Sequence, residues 1–141
     1  MIDSLSLRDA SAQDIQLELL RRTQFNTMNG ERIVASLLKH RDLWMAVLLD
    51  RQGLANHAEP GLLLMSGLIK LRDLPYNVWN ADTLFILTRT HEQANRMAQV
   101  IAEEEDDWVG GMTHVYDEQA EIDRALGTGR KNNGLLSVWW D

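Results

Sequence analysis

A chain of 141 residues, 45% of them hydrophobic and 25% charged, is long enough to bury one core without disulfides. It contains no cysteine, which excludes disulfides, thiolate metal sites and a cysteine nucleophile, and which is typical of a reducing compartment. The formal net charge of -7 disfavours binding to the phosphate backbone of DNA or RNA.

The sequence has neither the pattern of a signal peptide nor that of a membrane span. The N-terminus lacks a basic region followed by an apolar one. The longest apolar stretch, around Leu62–Leu71, is too short to cross a bilayer. We therefore expect a cytoplasmic protein with no membrane contact. Its single domain, 1–141, combines a helix-rich part, 1–53, with a sheet-forming part, 62–141.

The N-terminal part carries two predicted helices. Ser11 is suited to cap the first helix, and Asp14 lies at the position that completes a capping box. The alternation of apolar and polar residues over Ile15–Leu19 also fits a strand, although the surrounding composition favours a helix. Asn26–Gly30 indicates a break, and a second helix with apolar residues at helical spacing starts at about Glu31.

Residues 42–51 allow two interpretations. The apolar run Leu43–Leu49 fits one face of a helix that Asp42 caps and Gly53 ends, and it also fits a short buried strand. We favour the helix. Further along the chain we predict a loop at Gln52–Gly61, a strand at Leu68–Leu71 and a turn at Asp73–Asn80.

The second half alternates strands with helices. The predicted elements are a strand at Thr83–Thr88, a helix from Thr90, a strand at Met112–Tyr116, a helix between Asp117 and Gly127, and a strand at Leu135–Trp140. Such alternation is typical of parallel strands joined by right-handed crossovers. With the strand near residue 70, this predicts an α/β (or α+β) fold. It has about four mostly parallel strands, a C-terminal βαβαβ unit and packing by the N-terminal helices.

The ends of two predicted strands carry candidate catalytic residues. In a parallel sheet, Arg89, His91 and Asp117 meet at the carboxyl edge, where ligands commonly bind. Arg89 would bind an anion, His91 would transfer a proton and Asp117 would orient it. The competing interpretation is stronger, because Thr90 and Asp117 are natural helix caps and the other two residues fit a solvated loop.

The remaining chemical motifs are weak. The four histidines form no pair at ligand spacing, and the carboxylate run Glu103–Asp107 lacks calcium-loop spacing and fits a solvated, fraying helix end. Gly127–Lys131 has the composition of a phosphate loop, but it lies between a helix and a strand, in the wrong order. We therefore expect no metal and no cofactor.

The tryptophans and the acidity direct the functional hypothesis. Trp139 and Trp140 are neighbours on the predicted last strand and point to opposite faces. Both are buried if that strand is central, which we favour, and one of them reaches an interface if the strand lies at an edge. The sequence favours a small acidic interaction module that recognises a basic protein or forms a homodimer. The alternative is a small enzyme that uses Arg89, His91 and Asp117.

Overall fold

The computed structural model describes residues 6–50, 69–127 and 132–141, which form five α-helices and four strands. Two single 3-10 turns, at Arg41–Leu43 and Leu74–Tyr76, connect them. In chain order the elements are α1 (Ala12–Arg21), α2 (Gly30–Lys39), β1 (Ala46–Asp50), α3 (Ile69–Asp73), β2 (Thr83–Thr88), α4 (His91–Glu103), β3 (Met112–Tyr116), α5 (Gln119–Leu126) and β4 (Gly134–Trp139).

The four strands form one sheet in the order β1-β2-β4-β3, and every neighbouring pair is antiparallel. The prediction of a mostly parallel sheet with a βαβαβ unit is therefore wrong, and the fold is α+β. The strands β2 and β3 do run in the same direction, because both are antiparallel to β4. However, β4 lies between them and separates what the prediction placed side by side.

The return path through α5 explains the direction of β4. Tyr116 at the end of β3 pairs with Leu135 near the start of β4, so the chain re-enters the sheet at the same end at which it left. A parallel crossover must instead carry the chain back to the opposite end of the strands. The helix α5 has eight residues, and its N-cap is Glu118 without a side-chain hydrogen bond, not Asp117 as predicted.

The N-terminal helices confirm the predicted capping box. The Ser11 hydroxyl accepts a hydrogen bond from the Asp14 backbone N–H at 3.0 Å, and the Asp14 carboxylate accepts one from the Ser11 N–H at 3.1 Å. The helix α2 starts at Gly30, where the chains of α1 and α2 approach so closely that a Cβ atom would lie 1.8 Å from the Leu20 carbonyl oxygen. A glycine is therefore required for this crossing.

Two elements differ in type from the prediction. Leu43–Leu49 was expected to be helical, but Ala46–Asp50 forms the edge strand β1 after a 3-10 turn. Leu68–Leu71 was expected to be a strand, but α3 begins at Ile69, and Leu68 lies outside the described residues. Both apolar runs are short, and at that length local pattern does not separate a strand from a helix. The predicted loop at 52–61 also lies outside the described residues.

The core lies between one face of the sheet and the helices α1, α2 and α4. Trp140 stacks on Trp108 with 6.3 Å between ring centroids, and Trp44 donates a hydrogen bond from Nε1 to the Leu37 carbonyl at 2.8 Å. The largest fully buried side chains of this core are Trp44, Trp140, Leu20, Ile33, Leu37, Leu84, Ile86, Met97 and Leu136. Ile122 of α5 is also buried but stands apart from this cluster, because α5 covers the opposite face of the sheet.

Candidate functional site

The three predicted catalytic residues lie after two strands that are not neighbours in the sheet. Arg89 and His91 follow β2 and Asp117 follows β3, so all three lie at the same end of the sheet. The intervening β4 separates the two strands by roughly 10 Å, which is two strand spacings. In the described part of the chain, no hydrogen bond or ion pair joins the three side chains. The backbone N–H of Arg89 donates a hydrogen bond to Gln93 Oε1 at 3.1 Å.

The acidic run after α4 docks on α2. Glu104 accepts hydrogen bonds from Lys39 Nζ at 3.0 Å and Ser36 Oγ at 3.3 Å, and its Oε2 lies 2.7 Å from His40 Nε2. Partial burial opposes ionisation of Glu104, but the hydrogen bonds from Lys39 and His40 outweigh it, and its pKa lies below the ordinary value. The expectation of a solvated, fraying end is therefore wrong for Glu104.

This polar network joins the end of α4 to α2. Ser36 is buried and also accepts a hydrogen bond from Trp108 Nε1 at 2.9 Å. Ser36 and His40 both contact Glu104 and not each other, so no base is aligned on the hydroxyl. Among the described residues, no group of three histidine, aspartate or glutamate side chains could hold a metal ion.

The two tryptophans predicted for an interface lie in different environments. Trp140 is 1% exposed and donates a hydrogen bond from Nε1 to the Val109 carbonyl at 3.0 Å. Trp139 is half-buried on the opposite face of the sheet, where it pairs with the exposed Met112. The strand that carries both is central, because β4 lies between β2 and β3.

The second face of the sheet carries an apolar groove. Residues of β1 and β2 alternate, so that Val47 and Ile86 point into the core while Leu48 and Phe85 point to the opposite side. The helix α5 lies on this second face through Ile122, which is 1% exposed. Between α5 and the sheet is a groove of about 370 Å³, lined by Ala46, Val47, Leu48, Phe85, Leu87, Tyr116, Glu121, Ile122, Ala125, Leu126 and Leu135.

The groove is open on one side and carries one carboxylate. Leu48 in its floor is 46% exposed, and Ala125 in the α5 wall is also exposed. Glu121 is the one charged side chain among the lining residues, and no hydrogen bond or ion pair from the described ranges reaches it. The arrangement can hold an apolar surface beside a negative charge. Among the described lining residues, the titratable side chains are Glu121 and Tyr116, and no hydrogen bond joins them.

The two edges of the sheet differ. The edge of β1 is closed by α1, because Gln13 bonds to the backbone of Val47, and Gln16 Oε1 accepts a hydrogen bond from the Leu49 N–H at 3.2 Å. Along each strand, the backbone N–H and C=O groups of successive residues point to alternate sides. In β3 the observed register directs those of Thr113 and Val115 away from β4. No described residue bonds to these groups, so β3 is the open edge.

The groove residues were missed by sequence reasoning, although one signal was present. The segment TLFILT is apolar at both alternating positions, which is typical of a strand with both faces covered. Two of its side chains, Phe85 and Leu87, line the groove. No feature of the sequence indicates Glu121, since its place on the groove wall depends on how α5 lies across the sheet.

Comparison with known proteins adds no relative. No protein-family model matches this chain, and no curated protein or solved structure matches it either. Within residues 6–50, 69–127 and 132–141, no helix reaches the length and apolarity that crossing a membrane requires. The candidate site therefore rests on the geometry and chemistry of its own residues.

Proposed function

We propose that this chain is an interaction module that binds a protein partner through the groove between α5 and the second face of the sheet. The observation that carries the proposal is the half-open apolar floor, in which Leu48 is 46% exposed. Burying such surface is favourable by roughly 25 cal/mol per Å², so a partner that covers the groove gains affinity from it. A concave groove with a mostly apolar lining is typical of binding sites.

A protein partner fits the groove better than an enclosed small molecule does. Binding sites for small ligands bury roughly 70–90% of the ligand surface. With Leu48 and Ala125 both exposed, one side of this groove faces solvent, and a small ligand would stay uncovered on that side. A protein segment that is apolar on one face and polar on the other meets this geometry.

A single-cysteine experiment tests the proposal, because the chain has no cysteine of its own. One variant is Leu48→Cys in the groove, and the matched control is Leu38→Cys on α2. Leu48 is 46% exposed and Leu38 is 40% exposed. We expect both thiols to react with a maleimide at comparable rates. A groove thiol that reacts many times more slowly than the control means that the face is covered within the chain, and the proposal fails.

A specific observation favours self-association as a second candidate. The open edge β3 offers the backbone groups of Thr113 and Val115, and a twofold partner is a common cover for such an edge. Two β3 strands paired antiparallel would join the sheets of two protomers, with the exposed Met112 at the junction. The homodimer thus stays a proposal, supported by β3 and not by the C-terminal strand β4.

Thr113→Pro tests the homodimer. Proline removes the outward N–H of the edge and leaves the hydrogen bonds to β4 in place, as edge strands tolerate. We expect light scattering to give a dimer for the unmodified chain at tens of micromolar and a folded monomer for the variant. A monomer in both cases would remove the homodimer and leave the groove proposal in place.

The cysteine content bears on the compartment, and the strand order bears on the enzyme alternative. The lack of cysteine supports the cytoplasm as the proposed location. The enzyme built on Arg89, His91 and Asp117 is not favoured, since the intervening β4 keeps the two groups of residues apart. An interaction module needs no catalytic group, and the one carboxylate among the described groove residues, Glu121, suffices for contact with a partner.

A further inference from the structure

We infer that the partner presents a basic amphipathic helix, whose apolar side lies over β1 and β2 beside α5 and whose lysine or arginine pairs with Glu121. This inference rests on the proposed function. It commits to the chemistry of the occupant: leucine-like side chains on one face of a helix and a cationic side chain at the border of that face. Recognition of an amphipathic helix in an apolar groove is a recurring mode of peptide binding.

The partly open surface over β1 and β2 has the width of one helix. Among the described elements, α5 makes its main contacts with β3 and β4, while over the other two strands Leu48 is 46% exposed and Phe85 and Leu87 are half-buried. The two remaining strands, β1 and β2, cover roughly 10 Å across the sheet at a spacing of about 4.8 Å per strand. A helix with its side chains is about 10–12 Å in diameter. A partner helix beside α5 would complete a second helical layer on this face, opposite the layer that α1, α2 and α4 form.

The charge of the groove selects a cationic helix. Among the described lining residues there is no lysine, arginine or histidine, and Glu121 lies on the α5 wall. The cation of the same helix, Arg124, is two positions past Ile122 and therefore points away from the sheet. The chain as a whole carries a net charge of -7, which steers cationic partners towards it and repels anionic ones.

A second copy of the chain is a poorer occupant of the groove. In the described part of the chain, the helices α1, α2, α4 and α5 already bury their apolar residues within their own protomer. A second copy therefore offers no free amphipathic helix of eight or more residues to the groove. Self-association therefore belongs to the β3 edge, where the backbone supplies the contacts.

The test uses a synthetic amphipathic helix of leucine and lysine, carrying a fluorescent label for anisotropy, and a counterpart of leucine and glutamate. Two pairs of variants of the full chain separate the groove from the rest of the surface. Ala125→Trp fills the groove, and Ala120→Trp places the same bulk on the opposite, exposed side of α5. Glu121→Gln removes the groove charge, and Glu92→Gln removes an exposed charge on α4.

We expect the leucine–lysine helix to bind and the leucine–glutamate helix not to bind. Ala125→Trp should abolish binding and Ala120→Trp should leave it unchanged. Glu121→Gln should weaken binding about tenfold, the ratio that corresponds to a lost charge-assisted hydrogen bond at a partly exposed site. Glu92→Gln should have little effect. Circular dichroism of each variant checks that the fold is retained, and the two glutamate variants provide the test without added bulk.

Three results would overturn the inference. Binding that Ala125→Trp abolishes but Glu121→Gln leaves unchanged would show a groove that does not select a cation, and the proposed function would survive. Equal losses from Glu121→Gln and Glu92→Gln would mean attraction by net charge alone. No binding of the leucine–lysine helix, with the thiol of Leu48→Cys freely reactive, would reject the helix while the groove stays open. A slowly reacting thiol would reject the proposed function itself.

Discussion

Gln13 of α1 pairs through its side-chain amide with the backbone of Val47 in the edge strand β1. Its Oε1 accepts a hydrogen bond from the Val47 N–H at 2.8 Å, and its Nε2 donates one to the Val47 carbonyl at 3.2 Å. The amide thus takes the place of a neighbouring strand. This contact closes one edge of the sheet and leaves β3 as the open edge.

Gln13→Ala should therefore destabilise β1. The backbone groups of Val47 lose their partner, and a cost of about 1–2 kcal/mol in the free energy of unfolding is expected. Urea unfolding measures that cost, and hydrogen exchange at the Val47 amide locates it. Gln24→Ala is the control, because Gln24 is exposed and lies beyond the end of α1. Unchanged exchange at Val47 would show that the glutamine does not close this edge.

The stability of the chain should depend on the ionisation of Glu104. Its pKa in the folded state lies below the ordinary 4.5, because hydrogen bonds from Lys39 and His40 outweigh the effect of burial. The ionised carboxylate therefore stabilises the fold fully above pH 4.5, and that contribution falls as the pH drops through the folded pKa. The free energy of unfolding of the native chain should exceed that of Glu104→Gln at neutral pH.

Urea unfolding of both proteins over a pH series measures this difference. We expect it to shrink as the pH falls from 4.5 through the lowered folded pKa, where Glu104 becomes protonated and resembles the amide. Glu105→Gln serves as the control, because Glu105 is exposed and the hydrogen bonds to Ser36 and Lys39 of α2 are made by Glu104. A difference that stays constant from neutral to acidic pH would contradict the role assigned to Glu104.

Gly30→Ala should prevent stable folding or cost about 3 kcal/mol or more. The added Cβ would lie 1.8 Å from the Leu20 carbonyl oxygen and 2.8 Å from that of Thr23, and neither is a flexible side-chain end. Gly127→Ala is the matched change. Among the described residues other than its chain neighbours, none has an atom within 4 Å of its added Cβ, so the cost is limited to the strain of its positive φ of 64°, about 1 kcal/mol. Thermal melts that rank the two variants in the opposite order would contradict the close α1–α2 crossing.

The two adjacent tryptophans should respond differently to substitution by serine. Trp140 is 1% exposed and stacks on Trp108, so Trp140→Ser should cost about 3–5 kcal/mol. Trp139 is half-buried on the second face, and Trp139→Ser should leave a folded protein with a smaller loss. Urea unfolding compares the two. Similar losses at both positions would contradict the assignment of one tryptophan to the core and the other to the partly covered face.

Local signals in the sequence predicted the ends of elements well. The capping box of Ser11, the Thr90 hydroxyl that accepts a hydrogen bond from the Gln93 N–H at 3.1 Å, and the left-handed Gly127 are contacts within a few residues of the chain. The strand at Thr83–Thr88 was likewise predicted with its observed bounds. Each of these features depends on neighbours in the sequence.

Features that depend on distant residues were not predicted. The strand β1 is stabilised by α1, more than thirty positions earlier in the chain, and its own apolar run fits a helix equally well. The insertion of β4 between β2 and β3 depends on where α5 returns the chain, which no local pattern encodes. The groove depends on both, because its floor contains β1 and its wall is α5.

Protection of a thiol at position 48 by the leucine–lysine helix tests the central claim most directly, because it reports both the open groove and its occupant. In the absence of the helix, the thiol of Leu48→Cys should react with a maleimide about as fast as that of Leu38→Cys. Addition of the helix should slow the reaction at position 48 many-fold and leave position 38 unchanged. A thiol at position 48 that is already protected without the helix, or that the helix does not protect, would contradict the account.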